Sequence, residues 1–523
     1  MRCSVVLLLL ACACSQVQVE QSSGGVSTRA GGGNKGVGIN LSPVNYYATQ
    51  MPFANLFRNR DRWLSTDGDT WNTERASDIP TDDDGYPLEI PYKGQMLRAS
   101  AFMPIHADSF TLTWQGDGSV TVSGTGVEVT SQSAGLVKFT AGPTMTEPVF
   151  VRIERSSAKD HVRDIQIIGE RKYADGFAAA LRSFGVLRFM DWGGINDSPV
   201  KHWADRVTEQ EAQGTDRGVA IETMLDISKA AHADMWFNVP HQADDDFIER
   251  AAKLIGTGLD KGLKVYVEYS NENWNGMFSQ VMWERERAFD AGLDRIGAFS
   301  RGEDDVDDDA ADYWAGLKYS VRRAAAVHTI FRKELGQGRV VAVLAGQSAN
   351  SALNDELLQF YEDKKINPLG GAPDALAVAP YFGKVYGEDD DADAISVERI
   401  LNDTDASIAE SVGKDTRQNR EVAEQHDVRL IAYEAGQHVL AVSGLEDDDA
   451  LIERMIKANR SPRMGELYRK AHRVWQENGG ELVVYYSSCQ APTKHGAWGA
   501  LEYQDQPLTD APKWAALQSI ALR

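Results

Sequence analysis

From residue 185 onward the chain alternates short apolar runs with longer amphipathic ones, and this alternation limits the fold more than any other feature. The runs are "GVLRFMDW" (185–192), "ADMWFNVPH" (233–241), "LKVYVEYSNE" (263–272), "RVVAVLAGQ" (339–347), "DALAVAPYF" (374–382), "VRLIAYEAG" (428–436) and "ELVVYYSSC" (481–489). Near-continuous apolar stretches of this length read as strands buried on both faces. Between them, residues 220–231, 247–255, 313–335, 356–363 and 464–478 carry helical periodicity. Buried strands joined by helices build a parallel sheet. An eighth candidate, "GVGINLSP" (36–43), stands well ahead of the others. Eight such strands predict a (β/α)8 TIM barrel, an α/β fold. The rival is an open doubly wound sheet that leaves 36–43 outside. A nucleotide-binding version would carry a Gly-rich phosphate loop after an early strand, and no G-x-G-x-x-G or G-x-x-x-x-G-K-[ST] stands there. The barrel is therefore the expected fold.

The texture differs between residues 85 and 169. Short alternating runs such as "SFTLTWQGDGSVTVSG", "GLVKFTA" and "VRDIQIIG" are punctuated by Gly, Asp and Ser. That pattern predicts a small β-sandwich, inserted after the first barrel strand and its loop (36–84) and before a catalytic barrel spanning 170–523. The N-terminus, "MRCSVVLLLLACACSQ", has one basic residue, a short apolar run and small residues, the pattern of an export signal over 1–14. Its Leu9-Leu10-Ala11-Cys12 resembles a lipoprotein cleavage site, which would make Cys12 a lipid anchor. Residues 15–35, rich in Ser, Gln and Gly, read as a tether. The expectation is an exported protein, outer-membrane-anchored, periplasmic or secreted. Only Cys489 lies in the body of the chain, so no disulfide framework and no cysteine metal site can form there.

The formal net charge is −23, which argues against nucleic acid or an anionic membrane surface as a partner, since both require basic patches. Much of the excess sits in aspartate runs at 82–84, 244–246, 304–309, 389–391 and 447–449. None has the spaced ligand pattern of a calcium loop, so they read as solvated loops or helix starts. No metal or cofactor is expected: ten histidines include no H-x-H pair, which speaks against a metal-dependent barrel enzyme.

Barrel sites are built from polar residues at strand C-termini. Reading only those ends yields Arg188, His241, Asn271, Glu272, Tyr381, Glu434 and, past the last strand, Trp498. Each alone has an ordinary structural role available to it, as an ion pair, a helix cap or a packing ring. The set is more telling, because it puts two glutamates at the tips of two buried strands. Glycosidic bond cleavage needs such a pair, one carboxyl donating a proton to the leaving oxygen and the other attacking the anomeric carbon. Their pKa values must be split, which burial and neighbouring charge accomplish.

In this arrangement the sequence resembles the clan A retaining glycoside hydrolases, the (β/α)8 group that includes family 5 cellulases and mannanases. The resemblance covers about 36–43 and 170–523 and leaves out the sandwich. It implies that Glu272 is the acid/base, Asn271 a donor to the sugar 2-hydroxyl and Glu434 the nucleophile. Arg188 and Tyr381 would hold Glu434, His241 would line the floor, and Trp498 would stack beneath the sugar. Strand 6 departs from the family pattern: Pro380 precedes Tyr381 where a histidine often stands. The implied partner is a carbohydrate, a polysaccharide or oligosaccharide with β-linkages. A non-catalytic carbohydrate-binding barrel is the competing function.

Overall fold

The computed structural model describes residues 34–144, 147–302 and 306–522, so the expected export signal, Cys12 and nearly all of the expected tether lie outside the described residues. Strand β1 (Asn34–Asn40) is followed by eight strands, β2 (Leu64–Thr66), β3 (Met96–Phe102), β4 (Asp108–Gln115), β5 (Gly118–Ser123), β6 (Glu128–Ser133), β7 (Leu136–Ala141), β8 (Val149–Ser156) and β9 (Arg163–Gly169). These eight form two antiparallel four-stranded sheets, in the orders β2-β3-β8-β5 and β6-β7-β4-β9. Their inward residues, Phe110, Leu112, Val137, Phe139, Val151 and Ile167 among them, share one apolar cluster. The cluster also takes in Leu56, Phe57 and Ile79, and β2 pairs with β3. This two-sheet module therefore reaches back well ahead of residue 85, where alternation first becomes visible in the sequence.

The remaining chain runs through α1 (Tyr173–Leu181), β10 (Phe184–Arg188), α2 (Ile221–Ala231), β11 (Asp234–Val239), α3 (Asp245–Gly258), β12 (Val265–Tyr269), α4 (Ser279–Asp290) and α5 (Asp308–Leu335). It continues through β13 (Val340–Ala345), α6 (Ser351–Glu362), β14 (Ala375–Val378), β15 (Tyr381–Phe382) and β16 (Val385–Tyr386). Next come α7 (Val397–Ser407), α8 (Asp415–Gln425), β17 (Arg429–Ala432), β18 (Gly436–Gln437) and β19 (Leu440–Ala441). Finally α9 (Asp449–Asn459), α10 (Pro462–Glu477), β20 (Val483–Tyr485) and α11 (Pro512–Ala521) complete the fold.

Eight strands close into a parallel barrel in the order β1-β10-β11-β12-β13-β14-β17-β20. Strand β1 pairs in parallel with both β10 and β20, which excludes the open sheet. Helix-facing residues of the strands join the large core between barrel and helices. Every second residue points instead into the barrel, where Val186, Trp236, Tyr266, Val343, Ile431, Tyr433 and Val484 fill the interior. The run expected as one strand over 374–382 is broken in two. Pro380 has no N–H to give to a ladder, so β14 stops at Val378 and β15 pairs separately with β18. Three aspartate runs turn out to start helices: Asp244, Asp307 and Asp448 accept backbone N–H bonds from Phe247, Ala310 and Leu451 at the N-termini of α3, α5 and α9.

Candidate active site

The interior parity of β10 and β12 determines what reaches the top of the barrel. Val186 and Tyr266 lie in the barrel interior, so Arg188 and Glu268, two residues on, face inward one layer higher. Arg188 is fully buried, with 0% exposure, and Glu268 nearly so at 1%. Arg188 donates to Glu268 through Nε and both guanidinium-to-carboxylate contacts of NH2, at 3.0–3.1 Å. The same guanidinium donates to Glu434 Oε1 at 2.7 Å, to Asn40 Oδ1 at 3.0 Å and to Asn271 Oδ1 at 2.8 Å. One cation thus ties together the ends of β1, β10, β12 and β17. Burial alone would lower the Arg188 pKa, but Glu268 and Glu434 outweigh it and raise the pKa.

Glu434 lies just past β17. Its Oε2 accepts from the Tyr381 hydroxyl at 2.9 Å, so each carboxylate oxygen has a donor. Between them the two donors fix where the carboxylate points. Glu272 has a different environment. Beyond β12 the chain passes through left-handed backbone at Ser270 (φ 58) and Glu272 (φ 45). Non-glycine residues take this conformation at a cost and only where surrounding contacts impose it. Here the Ser270 N–H donates to the Val239 carbonyl at 2.8 Å and the Asn275 N–H to the Glu272 carbonyl at 2.8 Å. The Glu272 carboxylate accepts from Tyr433 Oη at 3.2 Å and from Asn275 Nδ2 at 2.9 Å. Burial, followed by the charge of Glu434, raises its pKa to about 7. Glu434 is thus held by a cation and a phenol, and Glu272 by a phenol and an amide.

The other expected residues are placed as follows. Asn271 uses its Oδ1 on Arg188 and donates through Nδ2 to Asn196 at 3.1 Å, so its amide orientation is imposed by the protein. Gln280 reinforces it, donating to the Asn271 carbonyl at 2.9 Å and to Asn196 at 3.1 Å. Trp498 stands edge-on to Tyr486, with ring centroids 6.3 Å apart, and donates to His438 Nδ1 at 3.4 Å. His438 in turn lies 5.2 Å from the Tyr381 ring, so Trp498 connects to the Glu434 side through ring contacts. His241 packs on Trp283 of α4 at 5.4 Å, and its Nδ1 is buried without a partner. Burial, opposed by the charge of Asp197, pushes its pKa down to about 4. The structure does not join His241 to either carboxylate by a hydrogen bond.

Several residues escaped the reading of strand ends. Glu268 and Asn40 lie within strands rather than past them, and the signal was a polar residue inside an apolar run. Trp236, inside the barrel, donates to Glu268 at 2.7 Å. Asp191 follows β10 and accepts from the Tyr486 hydroxyl. Burial and the charge of Glu434 raise the Asp191 pKa to about 7, and its Oδ2 is buried without a partner. In sequence it was only one acid within "RFMDWGG".

Comparisons with known proteins return only remote structural alignments. No family model matches the chain, and no curated protein does. Among solved structures, a GH51 arabinofuranosidase from Xanthomonas axonopodis pv. citri aligns at 13% identity with a TM-score of 0.37, over 62% of this chain and 61% of that one. A GH5 family lichenase from Caldicellulosiruptor sp. F32 aligns at 9% identity and a TM-score of 0.38, over 68% and 85%. A β-glucosidase from Thermotoga maritima aligns at 12% identity and 0.35, over 68% and 86%. None of them transfers a residue role or a substrate to this chain. The barrel is read from its own strand order.

Proposed function

We propose that the protein is a retaining glycoside hydrolase that cleaves β-linked polysaccharide or oligosaccharide by double displacement. The reading rests on one observation: two strand-tip carboxyls, Glu434 buried and Glu272 half-buried, are held by different donors, a cation and a phenol for the one, a phenol and an amide for the other. Glu434, with a donor on each oxygen, is suited to attack. Glu272, its pKa raised to about 7, retains a proton to give near neutrality. In the first step a Glu434 oxygen bonds to the anomeric carbon while the bond to the leaving oxygen breaks and Glu272 protonates that oxygen. In the second step Glu272, now a base, takes a proton from water as water displaces Glu434. Arg188 and Tyr381 hold Glu434 on its line of attack, and Tyr433 and Asn275 hold Glu272.

Substituting each carboxyl separates the roles. Glu434→Ala abolishes the glycosyl-enzyme on every substrate. Glu272→Ala still glycosylates Glu434 from an activated aryl glycoside, whose phenolate needs no proton, but releases the sugar slowly. Added azide restores turnover in Glu272→Ala and yields a glycosyl azide of retained configuration. A glycosyl azide of retained configuration from Glu434→Ala, with the inverted one from Glu272→Ala, would exchange the roles. Full activity in both variants would end this reading. Glycan binding without turnover in the wild type would favour a non-catalytic carbohydrate-binding barrel.

A further inference from the structure

A cavity of about 270 Å³ lies beside the barrel mouth, lined by the loop after β1 (Ser42, Asn45 and Tyr47), the loop after β20 (Gln490 and Thr493) and Met103 of the two-sheet module. Four observations describe the chemistry of its wall. No charged side chain lines it. Its wall is mixed: hydroxyl and amide groups stand beside apolar ones, as a ring with hydroxyl edges and a C–H face requires. Tyr47 is 57% exposed and lies edge-on to Tyr46 with centroids 5.1 Å apart, a large flat face offered to solvent at the rim. Gln490 Oε1 is buried with no hydrogen-bond partner, an acceptor left for a ligand hydroxyl.

One loop links the wall of the cavity to Trp498. The segment after β20 lines the cavity at Gln490 and Thr493, turns back through paired Thr493 and Gly496 backbone bonds, and then presents Trp498. The Ser487 N–H donates to the Trp498 carbonyl at 3.2 Å, closing that loop on the barrel rim. Position in the ring assigns the cavity a side. β12, which carries the acid, is fourth in the strand order and β20 is eighth, so they face each other across the barrel. The leaving group departs beside the acid, which leaves the β20 and β1 side for the sugar that becomes bound to the enzyme and for its neighbours.

We infer that this cavity is a second glycone subsite, which takes the next neutral sugar ring of the same glycan, so that the enzyme releases a disaccharide or longer unit instead of a single sugar. The inference rests on the proposed glycosidase reading. It is tested with 4-nitrophenyl β-glycosides of glucose, xylose, mannose and galactose beside the matching β-1,4-linked disaccharide glycosides. For at least one sugar, kcat/KM on the disaccharide glycoside should exceed that on the monosaccharide glycoside by about a hundredfold, a size in line with gains from remote binding. Tyr47→Ala and Gln490→Ala should each lower that ratio about tenfold, and Val129→Ser, on the exposed face of β6, should leave it unchanged. Tyr47 is exposed, so its removal opens no hole in the core. A ratio near one in the wild type, or a ratio unmoved by both variants, overturns the inference. Labelling of Glu434 by activated 2-deoxy-2-fluoro glycosides, read by mass, separates the two levels. Labelling without a disaccharide preference sinks the subsite alone, whereas no labelling and no turnover across the series sinks both.

Discussion

Glu272 is where a single hydroxyl sets a measurable pH. In the proposed mechanism Glu272 works while protonated, so kcat/KM on substrates with poor leaving groups should fall as pH rises through about 7. The Tyr433 hydroxyl stabilises the Glu272 anion and so lowers that pKa. Tyr433→Phe should therefore move the basic limb of the profile to higher pH, and a downward move would mean that the bond favours the protonated acid. Arg188 carries the other residue-scale prediction. It is the one cation bonded to both Glu268 and Glu434, and all three side chains are buried. Arg188→Met strands two anions, so it should cost about 3–5 kcal/mol in denaturant unfolding and remove activity. Adding Glu268→Gln should return part of the stability and none of the turnover. Additive losses in the double variant would show that Glu268 does not depend on Arg188.

At the scale of elements, α11 does more than cover the barrel. Lys513 in its first turn is buried and donates through Nζ to the Ala497 carbonyl at 2.6 Å, which also accepts from Gln437 at 2.8 Å. The residue before Trp498 is thereby pinned by a helix and by β18. Burial lowers the Lys513 pKa to about 7, so between that pH and the ordinary lysine range the unfolded chain binds the extra proton and stability rises with pH. Lys513→Met should accordingly stabilise the protein most at pH 6 and progressively less toward pH 10, while raising KM for aryl glycosides as the Trp498 segment loosens. Thermal unfolding across pH and steady-state kinetics report the two effects separately. Elements were legible in sequence where both faces are buried: "VVAVLA" or "VYVEY" can hardly be anything but a barrel strand. They were less legible where a few residues suffice. β15 and β18 are two residues long, and the long helical stretch from α7 to α8 contains a π-helical segment, Ile408–Lys414, that shifts the 3.6-residue period. The strand ends named Arg188, Asn271, Glu272, Tyr381 and Glu434. The supporting partners, Glu268, Asn40, Tyr433 and Asp191, sit at positions where only the three-dimensional parity and loop path show what they face.

For the whole molecule, charge and topology both have consequences. A chain of net charge −23 that gathers Glu268, Glu272, Glu434 and Asp191 near Arg188 is expected to disfavour anionic glycans. Turnover of a neutral oligosaccharide should change by less than about twofold between ~0.01 M and ~1 M salt, where screening is strong, and an aryl glucuronide should be a poor substrate at every ionic strength. Faster turnover of the glucuronide than of the glucoside would contradict this. Closure of the barrel has a consequence in time. β1 is made first, yet its amide at Asn40 donates to the Tyr433 carbonyl 393 positions later, and its neighbour β20 emerges last of all the strands. While the nascent chain lengthens, the two-sheet module between β1 and β10 has all of its own strands and can condense, but β1 waits with bare edges for its second neighbour. The guanidinium, its two carboxylates and the Asn40 amide come together only when that final strand docks. Catalytic activity during refolding should thus lag behind burial of the module's aromatic residues, and the onset of turnover serves as a clock for ring closure.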